Sequence, residues 1–129
     1  MKFPEDLKYT NEHEWCRIKA KRAIVGITEY AQDQLGDIVY VELPEVGDVV
    51  KKGESFGVVE STKAVSELFA PISGKVVEVN NPLSDTPETI NEDPYEEGWM
   101  IQVEVADPKE VEGMMDAKGY AKFVEDEKA

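Results

Sequence analysis

The sequence holds one cysteine and one histidine in 129 residues, and 14 basic side chains against 28 acidic ones. A lone Cys16 can neither close an internal disulfide nor build a thiolate zinc site, so a reducing compartment is the simpler reading. With a formal net charge of −14, neither nucleic acid nor an anionic membrane is an expected partner, because phosphate groups attract Lys and Arg. Long apolar runs are missing as well. The longest, Ala23–Ile27, has five residues, far short of the roughly 20 that a membrane-spanning helix needs. The opening Met1–Asp6 lacks the apolar stretch of a secretory signal and the Arg- and Ser-rich character of a transit peptide. No Gly-x-x-x-x-Gly-Lys-Ser/Thr or Gly-x-Gly-x-x-Gly cradle for phosphate occurs. These exclusions leave one small, soluble, acidic, intracellular domain over residues 1–129, long enough to bury a core without covalent staples.

Enzyme chemistry is hard to assemble from this inventory. His13 is the only imidazole, and Cys16, three residues on in an extended segment, falls on the opposite face. No His-x-x-His or Glu-x-x-His spacing offers a metal site. The plain reading of His13 is a rim residue, and no catalytic or metal-binding residue is expected.

What is present is a mainly β pattern. Glu14–Lys19 alternates as an edge strand, and Ala23–Ile27 reads as a buried one. Thr28 as N-cap and Gly36 just past the end bracket a helix of about two turns, with Ala31 and Leu35 as an i, i+4 pair. Short strands then come at Ile38–Leu43, Glu54–Glu60, Val65–Phe69, Gly74–Val79 and Trp99–Val105, a spacing that favours a sandwich or barrel. Gly36–Glu42 echoes Gly74–Asn80, and Gly57–Glu60 echoes Gly98–Ile101, at offsets of 38 and 41 residues. Two related half-sheets would produce that echo, and so would chance. Towards the end, Asp107 can cap, Pro108 can take the first helical position and Glu110 can close a capping box. Val111, Met114 and Met115 form an apolar stripe, Gly119 stops the helix and Tyr120–Val124 adds a last turn, giving a helical segment over 107–124.

Two features bear on function. Residues 85–112 carry ten carboxylates against Lys109 alone, either a solvated face or a docking surface for basic partners. Separately, Gly57–Phe69 reads as strand, polar turn, strand, with Lys63 in the turn among small Ser61, Thr62, Ala64 and Ser66. A turn lysine is ordinarily only a surface charge; this one is held outward on a stiff scaffold and suits an enzyme that attaches something to its amine.

At these residues the chain resembles the H-protein family of the glycine cleavage system, from about Tyr9 to Val124. The resemblance rests on His13-Glu14-Trp15, Val25-Gly26-Ile27-Thr28, Leu35-Gly36-Asp37-Ile38-Val39, Val41-Glu42-Leu43-Pro44, Val59-Glu60-Ser61-Thr62-Lys63-Ala64, Ala70-Pro71-Ile72-Ser73-Gly74, Asn91-Glu92-Asp93-Pro94-Tyr95 and Gly98-Trp99-Met100. It implies a barrel-sandwich hybrid of two antiparallel sheets with flanking helices, and it makes Lys63 the attachment site of covalent lipoate, as N6-lipoyl-lysine. Thr62 and Cys16 stand where the family usually has Val, and neither touches the amine. Biotin carriers share the fold but flank their lysine with methionines, unlike Thr62 and Ala64 here.

The resemblance implies a carrier in glycine catabolism and one-carbon metabolism, not an enzyme. A pyridoxal-phosphate-dependent glycine decarboxylase (P protein) passes the aminomethyl group of glycine to a lipoyl sulfur. A tetrahydrofolate-dependent aminomethyltransferase (T protein) takes the methylene unit, and a dihydrolipoyl dehydrogenase (L protein) reoxidises the dithiol. A lipoate ligase or lipoyl transferase attaches the cofactor. A monomer is expected, in the bacterial cytoplasm, or in the mitochondrial matrix if the chain is a mature eukaryotic form. In the family the loaded arm folds into a cleft. The positions that match here are Glu14 and Glu67, which would hold the cationic amine unless both are merely exposed carboxylates. The competing reading is a lipoyl-bearing H-like relative in sulfur metabolism or lipoate relay; a third is an interaction domain whose Lys63 stays unmodified.

Overall fold

The computed structural model describes residues 1–128. Its strands run β1 Lys8–Tyr9, β2 Glu14–Lys19, β3 Arg22–Ile27, β4 Ile38–Glu42, β5 Val49–Val50, β6 Ser55–Ser61, β7 Val65–Phe69, β8 Gly74–Val79 and β9 Ile101–Val105. Three α-helices, α1 Glu29–Leu35, α2 Thr89–Glu92 and α3 Ala117–Lys128, join them, with 3-10 turns at Asn81–Ser84 and Pro108–Gly113. The strands sort into a six-stranded sheet ordered β1-β2-β3-β9-β8-β5 and a three-stranded sheet ordered β4-β6-β7. Every pairing is antiparallel. This is the expected two-sheet, barrel-sandwich arrangement.

Alternation along the strands fills the space between the sheets. Val25, Val41, Val59, Leu68, Val76 and Val103 belong to one buried cluster that also takes in Ile72, Leu83, Ile90 and Met100. Each such side chain contributes about 1.5–3 kcal/mol by leaving water. A second cluster lies on the other face of the six-stranded sheet, built from Leu7, Tyr9, Trp15, Tyr30, Tyr95, Tyr120 and Val124. Within it the Tyr9 and Tyr120 rings stack 4.6 Å apart. The two clusters explain why β2 alternates poorly in sequence: Trp15 faces one and Cys16 the other, so both are fully buried. Only Trp15 and Cys16 pair with β1, which leaves Arg17–Lys19 as the edge that was expected. The two-residue strands β1 and β5 carry no readable periodicity and are absent from the sequence reading.

The caps of α1 form as the sequence implies. Ala31 N–H donates to Thr28 Oγ1 at 3.1 Å, and Gly36 closes the helix with φ +85°, its N–H donating to Gln32 O. The echoed half-sheets are also real in part. β4 breaks register between Ile38 and Tyr40, and β8 breaks it 38 residues later, between Val76 and Glu78. The partner strands differ from the sequence echo by one residue: Tyr40 pairs with Glu60 and Glu78 with Gln102, an offset of 42. A one-residue slip exchanges the faces of a strand, so the Gly57 and Gly98 match is not a structural equivalence.

The C-terminal segment departs most from the sequence reading. Asp107 does cap, accepting from Lys109 N–H at 3.0 Å, but it caps a 3-10 turn over Pro108–Gly113 rather than an α-helix. Glu110 does not close a capping box. Its carboxylate reaches across to Ser73, accepting from the backbone N–H at 2.7 Å and from Oγ at 2.9 Å. Gly119 does not end a helix either. It sits in the first turn of the 12-residue α3, its N–H held by Asp116 Oδ1 at 2.8 Å. The aspartate three residues earlier supplies an N-terminal cap, and that outweighs the glycine's weak helix preference.

Candidate functional site

Lys63 stands in the tight turn between β6 and β7, and its side chain is exposed. Ser61 organises that turn. Its N–H donates to Ala64 O at 2.8 Å, and its hydroxyl oxygen accepts from the N–H groups of Lys63 (3.1 Å) and Ala64 (3.0 Å). Thr62 N–H donates to Asp37 O at 3.1 Å, tying the turn to the chain between α1 and β4. That chain is in turn pinned by Asn91, whose Oδ1 accepts from Ile38 N–H and whose Nδ2 donates to Gly36 O and Gln32 Oε1. The lysine is therefore presented on a platform of three elements.

The lysine stem lies over Gly36. A Cβ at that position would stand 3.0 Å from Lys63 Cε, so the bare backbone there leaves room for the stem, and positive φ independently favours glycine. An exposed primary amine on a stiff turn, with its methylenes cradled by a glycine, fits an acyl group joined through an amide. The residues present thus suit covalent lipoate.

Beside this platform runs a cleft of about 320 Å³, walled by Tyr30, Ala31, Gln34 and Leu35 of α1, Ser66 of β7, Glu12, His13 and, from α3, Glu127. Leu35, in the cleft wall, directly precedes the Gly36 over which the lysine stem lies. From Leu35 to Tyr30 the α1 backbone rises about 7.5 Å, within the roughly 14 Å that a lysine extended by a lipoyl chain can span. Four larger hollows, of about 630, 460, 450 and 370 Å³, have neither Lys63 nor its hairpin in their walls. Proximity to the amine, rather than size, selects the smaller cleft.

Glu14 and Glu67 occupy different environments. Glu14 is 3% exposed, which removes the reading of it as a merely exposed carboxylate. Its Oε1 accepts from Thr10 Oγ1 at 2.9 Å and its Oε2 from Phe69 N–H at 3.3 Å. Burial pushes its pKa up to about 8, against the opposing pull of those two hydrogen bonds. Glu67 is exposed, in one cross-strand row with Val58 and Glu42 on the outer side of the sheet. Its neighbour Ser66 turns to the cleft. Glu67 thus belongs to β7, the last strand of its sheet, and Glu14 is bonded to the backbone of that strand at Phe69; neither is in the cleft wall.

The carboxylates in the cleft wall itself are Glu12 and Glu127, which the sequence reading did not single out. Glu127 comes from the far end of the chain and no local spacing announces it. His13 explains how it arrives. The imidazole Nε2 lies 3.0 Å from Glu127 Oε2 and Nδ1 lies 2.8 Å from Tyr120 OH, which also meets Thr28 Oγ1 at 2.7 Å. Burial raises the Tyr120 pKa, so the phenol keeps its proton for this network. His13 is a rim residue, as expected, hydrogen-bonded to Tyr120 and Glu127 while Cys16 is buried in the core between the sheets; its role is to lock α3 against the start of α1. The acidic stretch at 85–112 is partly structural: Asp93, Glu96, Asp107 and Glu110 accept hydrogen bonds from Glu97, Arg17, Lys109 and Ser73 respectively.

Residues 7–127 match the family model described as glycine cleavage H-protein. The chain belongs to the glycine cleavage H-protein family. It is 73% identical over 127 residues to the glycine cleavage system H protein of Anaeromyxobacter sp. (strain K), covering 98% of this chain and 99% of that one. The H protein of Myxococcus xanthus is 56% identical over 123 residues, 95% of each chain. Among solved structures, that of an H protein from Mycobacterium marinum superposes with a TM-score of 0.85 at 47% identity, covering 92% of this chain and 96% of the other. The H-protein fold extends over nearly the whole chain, and its relatives favour glycine cleavage over a sulfur-metabolism or lipoate-relay role. No described helix is long and apolar enough to cross a membrane.

Proposed function

We infer that this H-protein family member carries lipoate on Lys63 and serves as the mobile carrier of a glycine cleavage system. The observation that supports the reading most directly is the lysine at the hairpin apex, its stem resting on the bare backbone of Gly36. Lipoate supplies a dithiol that can accept and release a one-carbon amine unit. The chain's own residues supply presentation and shelter. Ser61 and Asp37 hold the turn, Asn91 holds the platform, and the tether raises the effective concentration of the carried group at each partner. The chemistry belongs to those partners: the glycine decarboxylase, the aminomethyltransferase and the dihydrolipoyl dehydrogenase.

The cleft along α1 is the resting place of the arm. Its acid walls, Glu12 and Glu127, suit a cationic amine, and Glu14 and Glu67 stand next in the chain to the wall residues His13 and Ser66. Glu14 stays protonated below about pH 8 in the free chain, and a cation brought near it favours the charged form and lowers that value. The setting is the bacterial cytoplasm, like that of the bacterial organisms its relatives come from, with residues 1–129 acting as one carrier domain.

Intact mass after incubation with a lipoate ligase, lipoate and ATP tests the reading. An increment of about 190 Da is expected for the amide, and Lys63→Arg is expected to lose it while keeping the same melting temperature. No increment on the unaltered chain, or one that survives in Lys63→Arg, would overturn the assignment.

A further inference from the structure

We propose that the outer face of the three-stranded sheet is where the enzyme that acylates Lys63 docks, a proposal that rests on the reading of Lys63 as the attachment lysine. Tyr40, Glu60 and Val65 lie directly opposite one another across β4, β6 and β7, and so share one face; Glu42, Val58 and Glu67 form the next row on that same face. The β4 register break sits at Val39 and leaves both Val39 and Tyr40 turned to solvent. Val39, Tyr40 and Val65 are 54%, 46% and 66% exposed, an unusual concentration of apolar surface beside a modified residue. The charged residues of the three strands are all acids, Glu42, Glu60 and Glu67, and none of the strands contains a basic residue. The partner that fits this face has an apolar centre framed by Lys and Arg.

Reach decides which partner it is. Before acylation the amine extends only about 6 Å from its backbone, so an enzyme joining an acyl group to Nζ must sit on the hairpin and its flanking strands. Once the arm is about 14 Å long, other enzymes can engage the dithiol from a distance. In the acylation, Nζ as the free amine attacks the carbonyl carbon of a lipoyl adenylate (a mixed anhydride) or a lipoyl thioester. The C–N bond forms, AMP or a thiolate leaves with the electron pair of the broken C–O or C–S bond, and the nitrogen gives its proton to solvent or a base.

The test measures acylation of the purified full chain by a bacterial lipoate ligase with lipoate and ATP, read by intact mass. Val65→Arg sets a cation against the basic frame, and Val39→Thr/Val65→Thr removes apolar contact while keeping β-branched shape. The kcat/KM is expected to fall about tenfold or more in the first and several-fold in the second, through KM with kcat preserved, and KM is expected to rise with salt. Val46→Thr/Val49→Thr, exposed valines away from the hairpin, is expected to match the unaltered chain. After lipoylation, Val65→Arg is expected to be reduced by dihydrolipoyl dehydrogenase at the normal rate. Unchanged KM in both face variants, or an equal loss in the dehydrogenase assay, overturns the docking assignment. Failure of the Lys63 reading is separate: it leaves the unaltered chain itself without an increment.

Discussion

Replacing Glu14 with Gln isolates the one carboxyl that the fold buries. Gln keeps the shape, can accept from Phe69 N–H on its one amide oxygen while its NH2 faces the Thr10 hydroxyl, and never ionises. In the unfolded chain Glu14 titrates near the ordinary 4.5, and in the folded chain near 8 because burial penalises the charged form. Between those two values the folded state holds a proton that the unfolded state has lost, so stability falls as pH rises. Below 4.5 both states are protonated and the effect is absent; above 8 both are ionised and the loss is complete. The gap corresponds to about 4–5 kcal/mol. Urea melts of both proteins from pH 4 to 9.5 at fixed ionic strength measure it, and taking the difference cancels the general repulsion of a chain with net charge −14. Glu14→Gln is expected to gain on the parent progressively across pH 5–8 and to level off above, with the carboxyl resonance of Glu14 titrating near 8 by NMR. A difference that stays flat with pH, or a parent that gains on the variant as pH rises, would refute the assignment of a desolvated acid.

Other expectations come from contacts of the same kind. Gly26→Ala places a Cβ 2.6 Å from Cζ2 of Trp15, and the indole cannot retreat, because its N–H is shared between Ile27 O at 2.9 Å and Pro94 O at 3.0 Å. Overpacking of a pinned side chain costs about 1–3 kcal/mol, and a denaturation midpoint equal to the parent's would contradict this. If the amine cargo is sheltered by acids, Glu14→Ala and Glu67→Ala carriers, once lipoylated and loaded from glycine by the decarboxylase, release ammonia and formaldehyde faster than the parent; equal release from both variants would remove that role.

Features governed by near neighbours were legible in the chain. Thr28 and Gly36 bracket α1 because a hydroxyl cap and a positive φ are satisfied within one turn. Val65–Phe69 and Gly74–Val79 appear with the bounds that alternation implies, and the polar turn carrying Lys63 is bounded by strands that announce themselves. The C-terminal segment was misread for the opposite reason. Glu110 has a local option, the capping box, and a distant one, Ser73, and only the packed sheet brings the second within 3 Å. Gly119 has a helix-stopping preference that Asp116 overrides once the Tyr120 ring has Tyr9 to stack on.

Sequence alone therefore determined the strand pattern, the caps of α1 and the lysine on its hairpin, since all depend on contacts a few residues apart. Tertiary structure alone decided that Glu14 is buried and hard to ionise, that it is bonded to the backbone of β7 while Glu67 of that strand is exposed, and that Glu127 arrives from more than 100 residues away to wall the cleft beside His13. Those outcomes depend on desolvation and on which distant surfaces meet, and neither is encoded in the spacing of residues along the chain.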